Sequence, residues 1–351
     1  MRTLLAWACL WAAVAHASDV GGEVSGGGTK ATEDNPRTGY FGALLNGAWD
    51  VNDWFGLNAA LGFTHDNATK NDAQHTSGNN IFLGNLGADV MLGKNWLVGL
   101  ALTGSPNAAT REATTLTVTD PTSQVTTTQP TVVATVNNSL GLLLNAAFST
   151  NGESRWEHTV EASAQVMRFG INQHLEFPDP TPAEKRLLAT CTRFPRLKAC
   201  EKLQPQNTEL TQTRLTAGYL ATLFTDTDVG LELSYYLYDH DPTQTGYYSV
   251  TILGRTLALG ETPSSIAPLQ FSLKPSVTHR FGERVSVRLW VQYGQYVPGE
   301  GYQTAAGFKV QVKVAKHWKL YLLGMGQRDV DAENNVVPNG SAVLGVSYLF
   351  D

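Results

Sequence analysis

Apolar and polar residues alternate strictly over long stretches of the chain. Between Phe55 and Phe63 every second residue is bulky or apolar (Phe55, Leu57, Ala59, Leu61, Phe63), with Gly56, Asn58, Ala60 and Gly62 between them. A helix would gather its apolar residues at spacings of three and four, so this alternation predicts a strand with two unlike faces. The pattern returns from Phe41 to Trp49, Phe82 to Leu92, Trp96 to Leu102, Leu140 to Phe148, Val160 to Val166, Leu215 to Leu223 and Val229 to Leu237. It continues from Leu269 to Val277, Val285 to Tyr293, Ala306 to Val314, Trp318 to Leu322 and Leu344 to Phe350. These make about thirteen segments, close to the length that crosses a bilayer as a tilted strand. A soluble sandwich and a membrane barrel both alternate in this way, and the connections separate them.

Short links are Val51–Asp53, Gly93–Asn95, Ser149–Ser154, Thr225–Thr227, Phe281–Glu283 and Ala315–His317, and long polar ones follow alternate strands. Those run from His65 to Asn79, Ser105 to Thr131, Leu175 to Asn207 and Asp239 to Ser264. Tight turns at one end and long loops at the other are the habit of transmembrane barrels, periplasmic and extracellular respectively. Trp49, Trp54, Trp96, Trp156 and Trp318 all lie within a few residues of a short turn, as a belt at a membrane interface requires. The expected fold is therefore an all-β, transmembrane antiparallel β-barrel of about 12–14 strands. Bacterial single-chain barrels have even strand numbers, so thirteen visible segments imply one missed or one too many.

Composition agrees. Of 351 residues, 42% are hydrophobic and only 16% charged, against about a quarter in soluble domains. Mean hydropathy is -0.16, and beyond the amino terminus no apolar run approaches the ~20 residues of a membrane helix. A net charge of -6 without a basic stripe gives no reason to expect nucleic acid. Met1-Arg2, the apolar run Leu4 to Ala15 and Ala15-His16-Ala17 predict a signal peptide, residues 1–17. The Gly-rich segment 18–37 is left as a plug, a tether or a weak first strand. Residues 38–351 form the barrel, with prominent extracellular loops at 105–131 and 175–207.

The carboxy terminus, GVSYLFD, alternates up to its end and resembles the terminal strand of Gram-negative outer-membrane β-barrel proteins. In that family an aromatic at or beside the terminus is part of the signal read by the barrel assembly machinery, which points to Tyr348 and Phe350 here. Asp351 is one residue more than the pattern has. The resemblance implies a fold and an address in the bacterial outer membrane, and no substrate.

With the apolar register facing lipid, the opposite register faces the lumen. This places Asp89, Glu157, Glu161 and Glu232 inside from the first part of the chain, and Lys274, Arg288, Lys309, Lys313 and Lys319 inside from the rest. Opposite walls would then carry opposite charges, facing each other across water or meeting as ion pairs. Inward Gly56, Gly62, Gly87, Gly99, Gly141 and Gly218 are expected to leave space. Of the loops, Thr110 to Val136 reads as a β tower above the membrane. The segment from Pro178 to Asn207 reads as a basic, partly helical loop (Lys185, Arg186, Arg193, Arg196, Lys198, Lys202) able to meet lipopolysaccharide phosphates. Cys191 and Cys200 are expected to form a disulfide in an exported chain.

Asp239-His240-Asp241, with His65, His75 and His174, is the best material for a rim hydrolase, without a nucleophile in recognisable context. Asp329, Asp331 and Glu333 lack the Gly of a calcium loop and read as solvated loop. No cofactor, no metal and no enzymatic activity are expected. The sequence points first to a passive channel or transporter for small polar solutes. Second comes a surface-exposed binding, adhesion or structural barrel with a closed lumen.

Overall fold

The computed structural model describes residues 19–29, 38–68, 79–119, 126–150, 156–177, 182–194, 196, 206–242, 250–252, 255–259, 269–332, 334 and 336–350. The expected signal peptide, His75, Cys200, Glu333 and Asp351 lie outside them. In chain order the strands are β1 (Asp19–Thr29), β2 (Thr38–Asn52), β3 (Phe55–Ala68), β4 (Asn79–Leu92), β5 (Trp96–Thr119), β6 (Thr126–Ser149) and β7 (Trp156–Glu176). Helix α1 (Pro182–Arg193) follows, then β8 (Gln206–Leu223), β9 (Thr227–Tyr238), β10 (Val250–Ile252) and β11 (Arg255–Leu259). The last strands are β12 (Leu269–Phe281), β13 (Val285–Tyr296), β14 (Tyr302–Lys313), β15 (Trp318–Val330) and β16 (Val336–Leu349).

Strands adjacent in sequence pair antiparallel around a ring that omits β10 and β11, because β9 pairs directly with β12. The ring is a closed, fourteen-stranded barrel. Its last seam is made by β1, which pairs with β16 from Asp19↔Leu349 to Thr29↔Asn339 and with β2 from Asp19↔Ala48 to Thr29↔Thr38. The sequence DVGGEVSGGGT has little propensity of its own for this state. Two neighbouring strands impose it by satisfying its backbone on both edges. Gly27 shows why a small residue is needed there, since a Cβ would sit 2.4 Å from the Gly340 carbonyl oxygen.

Alternation sorts each strand. Leu61, Leu86, Leu140 and Leu289 on the outer face are each more than half exposed, as lipid-facing residues are when lipid is removed. Among the described residues no helix is long and apolar enough to cross a membrane, so the strands do the crossing. Tight turns at one end include Gly93 (φ 69°) and Gly282 (φ 65°). The turn between β8 and β9 places Phe224 (φ 56°) and Thr225 (φ 66°) in the left-handed region, where a Cβ is strained.

At the other end the wall is uneven. β5 and β6 run 24 residues each, more than twice what a bilayer needs, and their register continues to Thr119↔Thr126. Much of the expected 105–131 loop is therefore paired strand. Where β4 has ended, the free edge of β5 is taken by β11, from Thr256↔Thr119 to Leu259↔Leu116. Covering an edge in this way removes a site for unwanted pairing. Along the tower Ile171 and Leu210 are fully buried on the inner face, and Ala134, which by register with His174 belongs to the opposite face, is nearly so. Helix α1 starts at Pro182, whose missing N–H costs nothing at the first helical position. Its Cys191 is buried and disulfide-bonded.

Candidate functional site

The inner wall holds a cavity of about 430 Å³ against β3 to β9. Its polar lining comprises Asn58, Asn85, Asp89, Asn145, Glu161, Ser163, Arg214, Thr216 and Glu232, all in the register opposite to the lipid-facing leucines. Three of the expected lumen carboxylates thus share one space. Asn58 Nδ2 donates to Asp89 Oδ2 at 2.8 Å. Glu157 stands nearer the turn, where Ser149 Oγ donates to its Oε1 at 3.1 Å.

The cations occupy a second arc, β12 to β15. Lys274 Nζ lies 5.8 Å from the Trp290 ring centroid, and Lys309 Nζ 4.1 Å from that of Tyr321. Such contacts hold an ammonium by the quadrupole of the ring. Arg288 Nη2 donates to Ser276 Oγ at 3.3 Å. Lys313 and Lys319 are register partners next to the turn that joins their strands. Among the described residues, none of the nine forms an ion pair with another. The charge-on-charge pair of the inner wall is a different one, Arg280 to buried Asp228 at 2.5 Å, near the short-turn end.

The two arcs are not simply opposed. They adjoin at the β9–β12 seam, where Glu232 and Lys274 are register partners and still do not pair. Besides Asp228 and Arg280, the inner-face charges missed by sequence reasoning include Arg214 and Glu23. Arg214 has the parity of Thr216 and Gly218 and was legible by the same rule. Glu23 was not, because β1 shows no apolar alternation, and it hydrogen-bonds Tyr321.

The inward glycines correct the sequence expectation. A Cβ at Gly99 would fall 2.2 Å from both Asp89 Oδ1 and Asn145 Oδ1, and one at Gly87 would fall 2.5 Å from Asn58 Oδ1. These positions are covered by neighbouring side chains and are not empty.

At the short-turn end the outer face carries a band of rings. Trp96 meets Phe148 at 5.0 Å, Trp318 meets Tyr348 at 4.9 Å, and Tyr348 meets Phe350 at 4.7 Å. Trp54 leans on Phe55, and Trp49 folds back over Gly47. Trp156 opens β7, and its side chain is outside the described residues. His158, stacked on Tyr219 and hydrogen-bonded to its hydroxyl at 2.7 Å, joins this band, as do His279 and His317.

The rim groups are structural ties. Asp239 Oδ1 accepts from the Thr211 amide at 2.8 Å and meets His240 Nδ1 at 2.9 Å. Burial would raise the Asp239 pKa, but these hydrogen bonds outweigh it and hold the carboxyl down at about 2. His174 meets Glu176 at 3.2 Å, and His65 packs on Phe41. Asp329 is not solvated loop. It lies at the end of β15 and accepts from Tyr296 Oη (2.9 Å), Gln327 Nε2 (2.9 and 3.0 Å) and Asn339 Nδ2 (2.8 Å).

No family model matches the chain, and no curated protein matches it. Solved structures do. The CymD monoaromatic hydrocarbon channel aligns over 95% of this chain and 89% of its own at 9% identity, with a TM-score of 0.54. A Pseudomonas aeruginosa FadL homologue aligns over 95% and 91% at 10% identity (TM-score 0.57). The Ralstonia pickettii toluene transporter TbuX aligns over 95% and 89% at 10% identity (TM-score 0.53). The fold is that of a Gram-negative outer-membrane β-barrel. At such low identity the likeness extends to the fold alone, and the barrel's chemistry must be argued from its own lumen.

Proposed function

We propose that the chain is a passive outer-membrane channel for small polar solutes, with its short turns in the periplasm and its tower outside the cell. The observation that carries this reading is the set of lumen charges left unpaired around a cavity inside a closed barrel. In a barrel sealed for structural reasons, facing acids and bases would neutralise each other, because desolvated charges without partners are costly. Here Lys274 and Lys309 rest on rings, Asp89 accepts from the Asn58 amide and Glu157 from the Ser149 hydroxyl. The structural neighbours named for toluene and monoaromatic hydrocarbons share the fold, but a hydrocarbon moving through this lumen would strip water from Asp89, Glu161, Glu232 and Arg214 without replacing it. Polar solutes suit such a wall better.

The test is single-channel recording in planar bilayers with wild type and Lys309→Glu/Lys313→Glu. Discrete conductance, shifted toward cation selectivity in the variant, is expected. A silent wild type refutes the channel. The tower supports a second reading, surface binding, because β5 and β6 extend far beyond the membrane and α1 exposes Lys185, Arg186 and Arg193. In that reading the helix contacts lipopolysaccharide phosphates, while Tyr348 and Phe350 serve assembly in either.

A further inference from the structure

The cavity on β3 to β9 carries opposite charges at two levels, and they do not meet. Register sets the lower level, since Gly218 on β8 pairs with Glu161 on β7 and with Glu232 on β9. A Cβ at position 218 would lie 3.4 Å from the Glu161 Cβ and 3.5 Å from its Oε2, so glycine keeps the floor between the two carboxylates clear. Arg214 sits four residues up the same strand, about 13 Å at ~3.3 Å per residue, and lines the same space. Its Nε is buried and has no hydrogen-bond partner. Glu161 and Glu232 are solvent-exposed within the barrel, and among the described residues neither accepts a hydrogen bond from the protein. Asp89, the third acid of the cavity, is already engaged by Asn58.

Nε itself is closed off from the cavity, but Arg214 as a whole is half-buried and lines it, and among the described residues no carboxylate pairs with its guanidinium. The planar guanidinium is built to take a carboxylate, while two carboxylates flanking a bare glycine are built to take an ammonium. We infer that this cavity is a binding site for a small zwitterion of amino-acid size, its carboxylate on Arg214 and its ammonium between Glu161 and Glu232. This rests on the channel reading and deepens it by naming the solute class. Three acids against one arginine disfavour a plain anion. A plain amine meets only the lower level, so Arg214 separates the zwitterion from the amine.

The experiment is liposome swelling with the reconstituted full-length mature barrel, using L-serine, ethanolamine and erythritol as probes of similar size. Serine is expected to enter wild-type vesicles several-fold faster than erythritol. Arg214→Gln slows serine several-fold relative to erythritol in the same vesicles without slowing ethanolamine relative to it, and Arg214→Lys recovers part of the loss. Glu161→Gln/Glu232→Gln slows serine and ethanolamine alike. An acidic lumen with no zwitterion site predicts the reverse for Arg214→Gln, with serine unchanged or faster, and that result overturns the proposal. So does wild-type entry of erythritol as fast as serine, which leaves the channel standing. If none of the three probes enters, the channel reading fails and calorimetry decides the site. Serine binding to wild type in detergent that is lost in Arg214→Gln upholds it, and binding that is absent or equal in both ends it.

Discussion

Asp329 joins four strands at the long-loop end of the barrel, and its removal has a calculable cost. Its carboxylate accepts from Tyr296 on β13, Gln327 on β15 and Asn339 on β16, while Gln303 on β14 accepts from Gln327 at 3.2 Å. Asp329→Ala takes an acceptor from three donors, of which Tyr296 and Gln327 still reach Gln303 Oε1. A hydrogen bond to a charged group contributes about 1.5–3 kcal/mol where water is excluded, but the group is half-buried and water replaces part of the loss, so about 2–4 kcal/mol is expected in total. Asp329→Asn keeps one oxygen and should cost about half as much. The assay is urea unfolding in lipid vesicles followed by tryptophan emission, with heat-dependent gel migration confirming the barrel at each point. A double-mutant cycle with Asn339→Ala adds specificity, because residues in one network couple by about 0.5–3 kcal/mol. An Asp329→Ala barrel that unfolds within about 0.5 kcal/mol of wild type, or a cycle without coupling, would refute the network as a clamp.

Two further perturbations test smaller features. The Asp239 carboxyl is depressed to about 2 from 3.8, so the tie to Thr211 is fully present above about pH 4 and is lost as pH falls through about 2. Amide exchange at Thr211, followed over that window, should accelerate in wild type and show no such step in Asp239→Asn. In the β8–β9 turn, Thr225→Gly relieves a left-handed residue and should raise stability by about 1 kcal/mol in the same urea assay, and a loss of stability would show that the turn is not strained.

All thirteen alternating segments fall on barrel strands, with only Val314 and Phe350 one residue past a strand end, because a two-sided sheet between lipid and water imposes a period of two that no helix reproduces. β1 was illegible as a strand for the converse reason. Its outer face offers only Val20 and Val24 among glycines, so nothing local marks it, and the strand follows from the seam it closes. β10 and β11 were equally hidden inside a long polar connection, since β11 pairs with the far end of β5 and β10 with β11. The inward charges followed from parity alone, and parity would also have found Arg214. Their grouping did not follow, because which residues share a level depends on register and stagger around the ring, and alternation encodes neither.

The glycines show how the lumen of this barrel is shaped. Sequence suggested that an inward glycine leaves a gap, yet Gly87, Gly99, Gly141 and Gly62 are overlain by Asn58, Asp89 with Asn145, Met167 and Leu44. Each neighbour lies along the wall in the place a side chain would have taken. A polar residue held in this way keeps its hydrogen bond to the next strand, as Asn58 does with Asp89, and does not project toward the barrel axis. The same device serves the basic arc, where Trp290 covers Gly307 and Tyr321 covers Gly345, giving Lys274 and Lys309 a ring to rest on. Charges supported by flat neighbours need no partner across the lumen, and this reconciles many ionised groups with the lack of ion pairs between the arcs. Where a glycine stays uncovered between two carboxylates, at Gly218, the wall instead keeps a recess, and that recess is the floor of the cavity beneath Arg214.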